Sequence, residues 1–184
     1  MNSVRNNMGP GVELIRGLSN LKPVHRGSVV SIGNFDGVHR GHQAVLQELR
    51  QRAVAFAVPA TLIVFEPTPQ EFFAPVAPPA RLMRFGEKFR ALADNGVDRI
   101  LCLRFDQRMA ELSPEAFIER ILVRGLGVRH LVVGDDFRFG HERRGNFAML
   151  RQTGAEHGFE VQDTGALLAD GERISVRIIR EALG

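Results

Sequence analysis

The ten residues GNFDGVHRGH, 33–42, hold three glycines, two histidines and one aspartate. They follow the apolar run SVVSI and precede QAVLQELRQRAVAF, whose pattern is helical. Glycines after a strand let the backbone turn sharply and come close to a ligand. The N–H groups and dipole of a helix beginning near Gly41 favour an anion. Protonated imidazoles at His39 and His42 can donate hydrogen bonds to phosphate oxygens, where other phosphate loops use a lysine. Neither G-x-x-x-x-G-K-[ST] nor G-x-G-x-x-G is present. Two other roles are open to the same residues: metal ligation, which no cysteine cluster or H-E-x-x-H pattern supports, and a turn with no ligand. A phosphate site is the favoured reading, and no metal ligands are assigned.

A second stretch, VVGDDFRFGHERRG at 132–145, alternates aromatic and charged residues behind another apolar run. Its basic part, FRFGHERR, is the only dense basic patch. Of 24 basic residues only Lys22 and Lys88 are lysines, and the net charge is +3. Nucleic-acid binding calls for a clustered basic face, with aromatic platforms for single strands. Trp and Tyr are absent, so solvated surface arginines explain most of the excess and no nucleic-acid partner is expected. One cysteine, Cys102, excludes an internal disulfide and suits a reducing compartment, the cytoplasm. The run Ala53 to Phe65 is broken by Pro59 and is too short to cross a bilayer. MNSVRNNMGPG, residues 1–11, lacks the apolar core of a signal peptide and reads as a flexible lead-in to one domain over 12–184.

These loops need elements to position them. Short continuous apolar runs predict strands at 28–32, 61–65, 99–103, 130–133 and 159–162, as expected for strands buried on both faces. Helical spacing predicts helices over 41–56, 87–95, 114–124 and 146–157. In the first, Val45, Leu46, Leu49, Ala53 and Phe56 form one apolar stripe. Ser113 and Pro114 supply an N-cap and a first helical residue for the third. The alternation argues for a Rossmann-like α/β fold, a doubly wound parallel sheet. LLADGERIS at 167–175 breaks the pattern: Asp170-Gly171 reads as a hairpin turn, followed by a short helix over 177–183. The glycine-rich stretch then lies at a strand's carboxyl end, where such sheets bind ligands.

GNFDGVHRGH resembles the H-x-G-H signature of the nucleotidyltransferase superfamily, in the form found in bacterial FAD synthetases. In those bifunctional proteins an FMN adenylyltransferase module precedes a riboflavin kinase module. FEPTPQEFFAP at 65–75 resembles the family's loop after the second strand, VVGDDFRFGHERRG its flavin-side loop, and GERIS with IREAL, in part, its C-terminal motif. The resemblance covers about residues 12–183 and reaches only the first module; the kinase module has no counterpart here.

The resemblance implies that FMN and ATP give FAD and pyrophosphate. The attacking group is an anionic phosphate, so catalysis is positioning and charge stabilisation, with magnesium carried mainly by the phosphates. By the same resemblance Gly33, Asn34, Phe35, Asp36 and Gly37 line the nucleotide site, Gly41 admits the phosphates closely, and His39 and His42 contact the triphosphate. Pro67, Phe73, Asp136, Phe137, Arg138 and Phe139 belong to the flavin side, with Arg138, Arg143 and Arg144 as candidate FMN-phosphate partners. Ser175 and Arg180 fit the C-terminal phosphate motif, Arg180 among the catalytic groups.

The sequence departs from the family pattern in three places. PTPQE replaces P-H-P-x-E or P-Q-P-R-E, and Asn146 stands where aspartate is usual. ISVRIIR, 174–180, carries Val176 and Arg177 in place of the serine and threonine of I-S-S-T-x-I-R. Alternatives to the FMN adenylyltransferase reading are a weakly active or non-catalytic flavin- or nucleotide-binding relative, and a nucleotidyltransferase for another phosphorylated acceptor.

Overall fold

The computed structural model describes residues 11–35, 40–74, 85–134 and 137–165. Among these residues six strands form one sheet: β1 (Glu13–Arg16), β2 (Ser28–Ile32), β3 (Ala60–Phe65), β4 (Arg99–Leu103), β5 (Val128–Val133) and β6 (Glu160–Asp163). Their spatial order is β1-β4-β3-β2-β5-β6, and every adjacent pair is parallel. The predicted strands at 28–32 and 99–103 match residue for residue. β5 begins two residues earlier than its apolar run, at Val128, with a register shift where it meets Ser28 and Val29.

β1 was not expected as a strand. Its four residues carry too few alternations to read, yet each pairs with β4, from Glu13 opposite Arg99 to Arg16 opposite Cys102. It is an edge strand whose conformation comes from its neighbour.

The helices cover both faces. α1 (Arg40–Phe56) and α3 (Phe85–Asp94) lie on one. There Val45, Leu46, Leu49 and Ala53 of α1 and Phe89 and Leu92 of α3 pack on Val29, Leu62, Val64, Ile100 and Val132. The stripe predicted for α1 is the one that is buried, with Phe56 partly so. On the other face lie α5 (Pro114–Phe117), which widens into π-type turns over Ile118–Gly125, and α6 (Phe147–His157). Phe117, Ile118, Ile121, Leu122 and Leu150 there pack on Ile15, Val30, Ile32, Ile63, Leu101, Leu131 and Val133. Neighbouring strand residues thus alternate between two apolar clusters, as a sheet buried on both sides requires.

Two short helices were not expected: α2 (Pro69–Phe73) and α4 (Gln107–Glu111). Caps hold them. The Thr68 hydroxyl accepts from the Glu71 N–H while the Glu71 carboxylate accepts from the Thr68 N–H, a capping box. The Asp106 carboxylate accepts from the Met109 N–H. Ser113 caps α5 as predicted, and Asn146 caps α6 through the Met149 N–H. Asparagine serves there as well as aspartate. The expected C-terminal hairpin and helix lie outside the described residues.

Candidate active site at the carboxyl edge of the sheet

From β2 the chain builds outward through β3 and β4, then returns to the other side of β2 for β5 and β6. The order therefore reverses between β2 and β5. A doubly wound sheet leaves a crevice there, outside the carboxyl ends of its strands. Ser31 lies opposite Val132, so the chain leaves the sheet at Gly33 on one side and Gly134 on the other. Both stretches singled out by sequence, 33–42 and 132–145, start at this one crevice.

On the β2 side Gly33 is pinned by its N–H to the Ile63 carbonyl, 3.1 Å. A Cβ here would lie 2.9 Å from the Phe35 ring, so glycine is required by close approach. Phe35 adopts a left-handed backbone, φ 51°. Its side chain is buried, within the cluster beneath α1. The His42 ring packs on it with centroids 5.0 Å apart. Phe35 thus backs His42 from the core instead of offering its own face to a ligand. Asn34 and His42 are half-buried. His42 is the third residue of a 17-residue helix. The first turn of α1, with its N–H groups and His42, thus lies just beyond the carboxyl end of β2, and a helix start of this kind suits anion oxygens. Gly41 is in the same first turn. Asp36, Gly37 and His39 lie outside the described residues.

On the β5 side the loop is closed on itself. Phe139 and Gly145 exchange both backbone hydrogen bonds, 3.2 and 2.8 Å, and the His141 N–H reaches the Leu112 carbonyl, 2.8 Å. Phe139 is buried. Its ring sits 5.2 Å from Phe117 and stacks at 5.6 Å and 15° on Phe137. A Cβ on Gly145 would come within 2.6 Å of it. The half-buried ring is Phe137, while Arg138 is exposed. Among the aromatics expected on the flavin side, Phe137 is thus the surface ring of this loop and Phe139 its support. Arg144 donates to Glu142 at 2.8 Å. The Arg144 hydrogen bond and charge hold the Glu142 carboxyl below its ordinary range. Asp136 lies outside the described residues, as do Ser175, Val176, Arg177 and Arg180.

β3, the neighbour of β2, ends at the same edge. Pro67 follows a cis peptide bond and is half-buried, and α2 carries Phe72 and Phe73, the latter 67% exposed. The stretch 67–73 thus ends in a capped helix that presents the Phe73 ring outward.

Sequence reasoning missed two groups. Phe105, two residues beyond β4, touches Phe65, Phe72 and Phe73; an aromatic just past a strand's end was the available signal. Lys88 is 3% exposed. It falls on the inward side of α3 with Phe89 and Leu92, and only that helical spacing could have shown it. With Glu66 and Arg16 it forms the charged surroundings of Cys102, whose thiol burial pushes up in pKa.

The fold and the loops at its switch point define a Rossmann-like, doubly wound α/β domain. A likeness of fold to the crystal structure of a macrolide-efflux protein from Streptococcus pneumoniae agrees: 22% identity, TM-score 0.67, covering 83% of this chain and 49% of that one. The chain belongs to the FAD synthetase family, whose family model matches residues 21–177. It is 52% identical over 172 residues to the bifunctional riboflavin kinase/FMN adenylyltransferase of Pseudomonas fluorescens. It is 48% identical to the protein of that name from Escherichia coli K12 and 46% to that from Haemophilus influenzae. Each alignment covers 94% of this chain and 55–56% of the relative; the chain spans about half their length.

Proposed function

We propose that this domain is an FMN adenylyltransferase, joining FMN to the adenylyl group of ATP to give FAD and pyrophosphate. One observation carries the reading: at a single switch-point crevice of a chain in the FAD synthetase family, the α1 turn supplies anion donors and the neighbouring loops supply rings. The ATP phosphates would lie at the start of α1, with His42 and His39 donating to charge that develops as pyrophosphate leaves. The flat isoalloxazine suits ring faces, which Phe137 and Phe73 present, and Pro67 stiffens that wall. Gly33, Asn34, Asp36 and Gly37 line the nucleotide side, Asp136 and Arg138 the flavin side, and Ser175 and Arg180 close on the phosphates.

The FMN phosphate is already a nucleophilic anion, so no side chain need remove a proton. The chain's work is to orient two anions and offset their repulsion. The donors at the start of α1 are N–H groups, which suit phosphate oxygens and not magnesium, an ion that takes oxygen ligands. Magnesium therefore fits as an ion carried in on the ATP phosphates, where it supplies charge neutralisation. The FMN would come from a riboflavin kinase module like the one the relatives' names include, acting in the cytoplasm.

A second reading, a binding relative with little turnover, is favoured by Val176 and Arg177 alone. Incubation of the chain with FMN, ATP and magnesium, followed by chromatography for FAD, separates the two. FAD and pyrophosphate in equal amounts support the transferase. Binding of both substrates with no FAD formed supports the second reading.

A further inference from the structure

Phe105 is absent from every motif above, yet it joins the aromatic groups at the carboxyl edge. Its ring meets Phe65 at 5.6 Å and 88°, Phe72 at 5.4 Å and 70°, and Phe73 at 5.7 Å and 66°. All three are edge-on contacts, the arrangement the ring quadrupole favours. Phe65 is a buried strand residue of the core, 8% exposed, and Phe73 is 67% exposed. Phe105 thus spans from the fixed sheet to an exposed ring on a helix of five residues. So short a helix has little stability of its own. Its backbone cap sets where α2 begins, but no described core residue belongs to it. Phe105 supplies a side-chain contact between α2 and the sheet.

We propose that Phe105 is a positioning residue for the flavin: acting through Phe72 and Phe73, it sets the angle at which α2 presents the Phe73 ring to the isoalloxazine. The inference rests on the FMN reading of this site. It assigns Phe105 no contact with FMN.

A thermodynamic cycle on the full chain tests it, with FMN and ATP dissociation constants measured by calorimetry for the parent, Phe73→Ala, Phe105→Ala and the double variant. Groups acting through one another give non-additive effects. Each single change is expected to weaken FMN binding about tenfold and to leave ATP binding within about twofold, with the double variant no more than about twofold worse than Phe73→Ala. Effects on FMN that multiply to about a hundredfold overturn the proposal, as does equal loss of ATP affinity. Should Phe105→Ala fail to fold, Phe105→Leu keeps apolar bulk without a ring edge. Weaker FMN binding in that variant, abolished as a separate effect by Phe73→Ala, supports the proposal, and parent-like FMN affinity overturns it. A parent chain that binds ATP but not FMN overturns the flavin reading itself. A parent that binds FMN, with Phe105→Ala binding equally well, overturns only the role of Phe105.

Discussion

Among the described residues, the carboxyl edge of the sheet on the α1 face ends in backbone N–H groups and the His42 imidazole; on the opposite face it ends in rings. Phe35 and His42 belong to the first edge and pack with the cluster under α1. Phe65, Phe105, Phe117, Phe137 and Phe139 belong to the second. One sheet thus meets two unlike chemical demands by assigning each to a face, since successive strand residues point to opposite sides. The comparison also shows a shared construction. In each region a buried phenylalanine backs the group that faces outward: Phe35 behind His42, and Phe139 behind Phe137. A substitution in the outward partner should therefore affect a ligand, and one in the inward partner should affect folding as well.

The largest expected effect is on the α1 side. His42→Ala, and separately His39→Ala, should lower adenylyl transfer by roughly 100- to 1,000-fold, the usual cost of one transition-state donor. FMN affinity and the melting temperature should stay close to the parent's. Turnover measured under saturating substrates, with calorimetry for FMN, checks this. A loss of FMN affinity equal to the loss of rate would erase the distinction between the two edges.

The β5 loop sharpens the contrast between inward and outward rings. Phe139→Ala removes a buried ring and should cost about 3–5 kcal/mol of stability, a fall of roughly 6–20 °C in melting temperature for a chain of this size. Phe137→Ala should cost about 1 kcal/mol or less, because its ring is half-buried, yet weaken FMN binding more than ATP binding. Thermal melts and calorimetry on both variants decide it. If Phe139→Ala melts with the parent, the loop is not anchored through that ring.

How much of this was legible follows from what leaves a periodic trace. The strands of the sheet interior showed as continuous apolar runs, and α1 as a stripe at helical spacing. β1, α2 and α4 are four or five residues long, too short for either period. They depend on a neighbouring strand or on a cap. GNFDGVHRGH and GDDFRFG stood out as candidate site loops because their residue types are unusual after a strand. The orientation of Phe35 and Phe139 was not, since a loop has no repeat to say which ring turns inward. Phe105 showed only as an aromatic just past a strand's end; its role did not show, because its partners come from β3 and α2, about thirty to forty residues earlier in the chain.

A smaller effect concerns ISVRIIR. In the family pattern two hydroxyl side chains precede a helix, where they can donate to phosphate and cap the helix. Val176 does neither, and Arg177 brings charge with a different geometry. Ground-state attraction alone does not raise turnover. Val176→Ser with Arg177→Thr is therefore expected to raise the rate about tenfold, or roughly 1.4 kcal/mol of barrier. A double variant no faster than the parent at saturating FMN and ATP would mean that Arg177 has taken over from the hydroxyls.

The smallest effect tests whether α1 is held rigidly behind His42. Glu48, on α1, accepts hydrogen bonds from Arg52 at 2.8 Å and from Gln162 of β6 at 3.1 Å. Gln162 in turn meets His130 of β5 at 2.8 Å. This chain of contacts ties α1 to the far edge of the sheet. Partial burial acts to raise the Glu48 pKa, but the hydrogen bonds from Arg52 and Gln162 and the Arg52 charge outweigh it, so the carboxyl titrates below its ordinary value. A depressed carboxylate contributes stability above its unfolded pKa and loses it as pH falls through the folded one. Glu48→Gln should therefore lower stability at pH 7 by about 0.5 kcal/mol, the scale of a surface ion pair, or roughly 1–2 °C in melting temperature. The gap should shrink on acidification below the ordinary glutamate pKa of about 4.3, as the parent's carboxyl takes up its proton in turn. Melting curves at pH 7 and pH 3.5 measure both parts. A gap that is unchanged at pH 3.5 would show that Glu48 acts by shape and not by charge, and the tie from α1 to β6 would then rest on Gln162 packing alone.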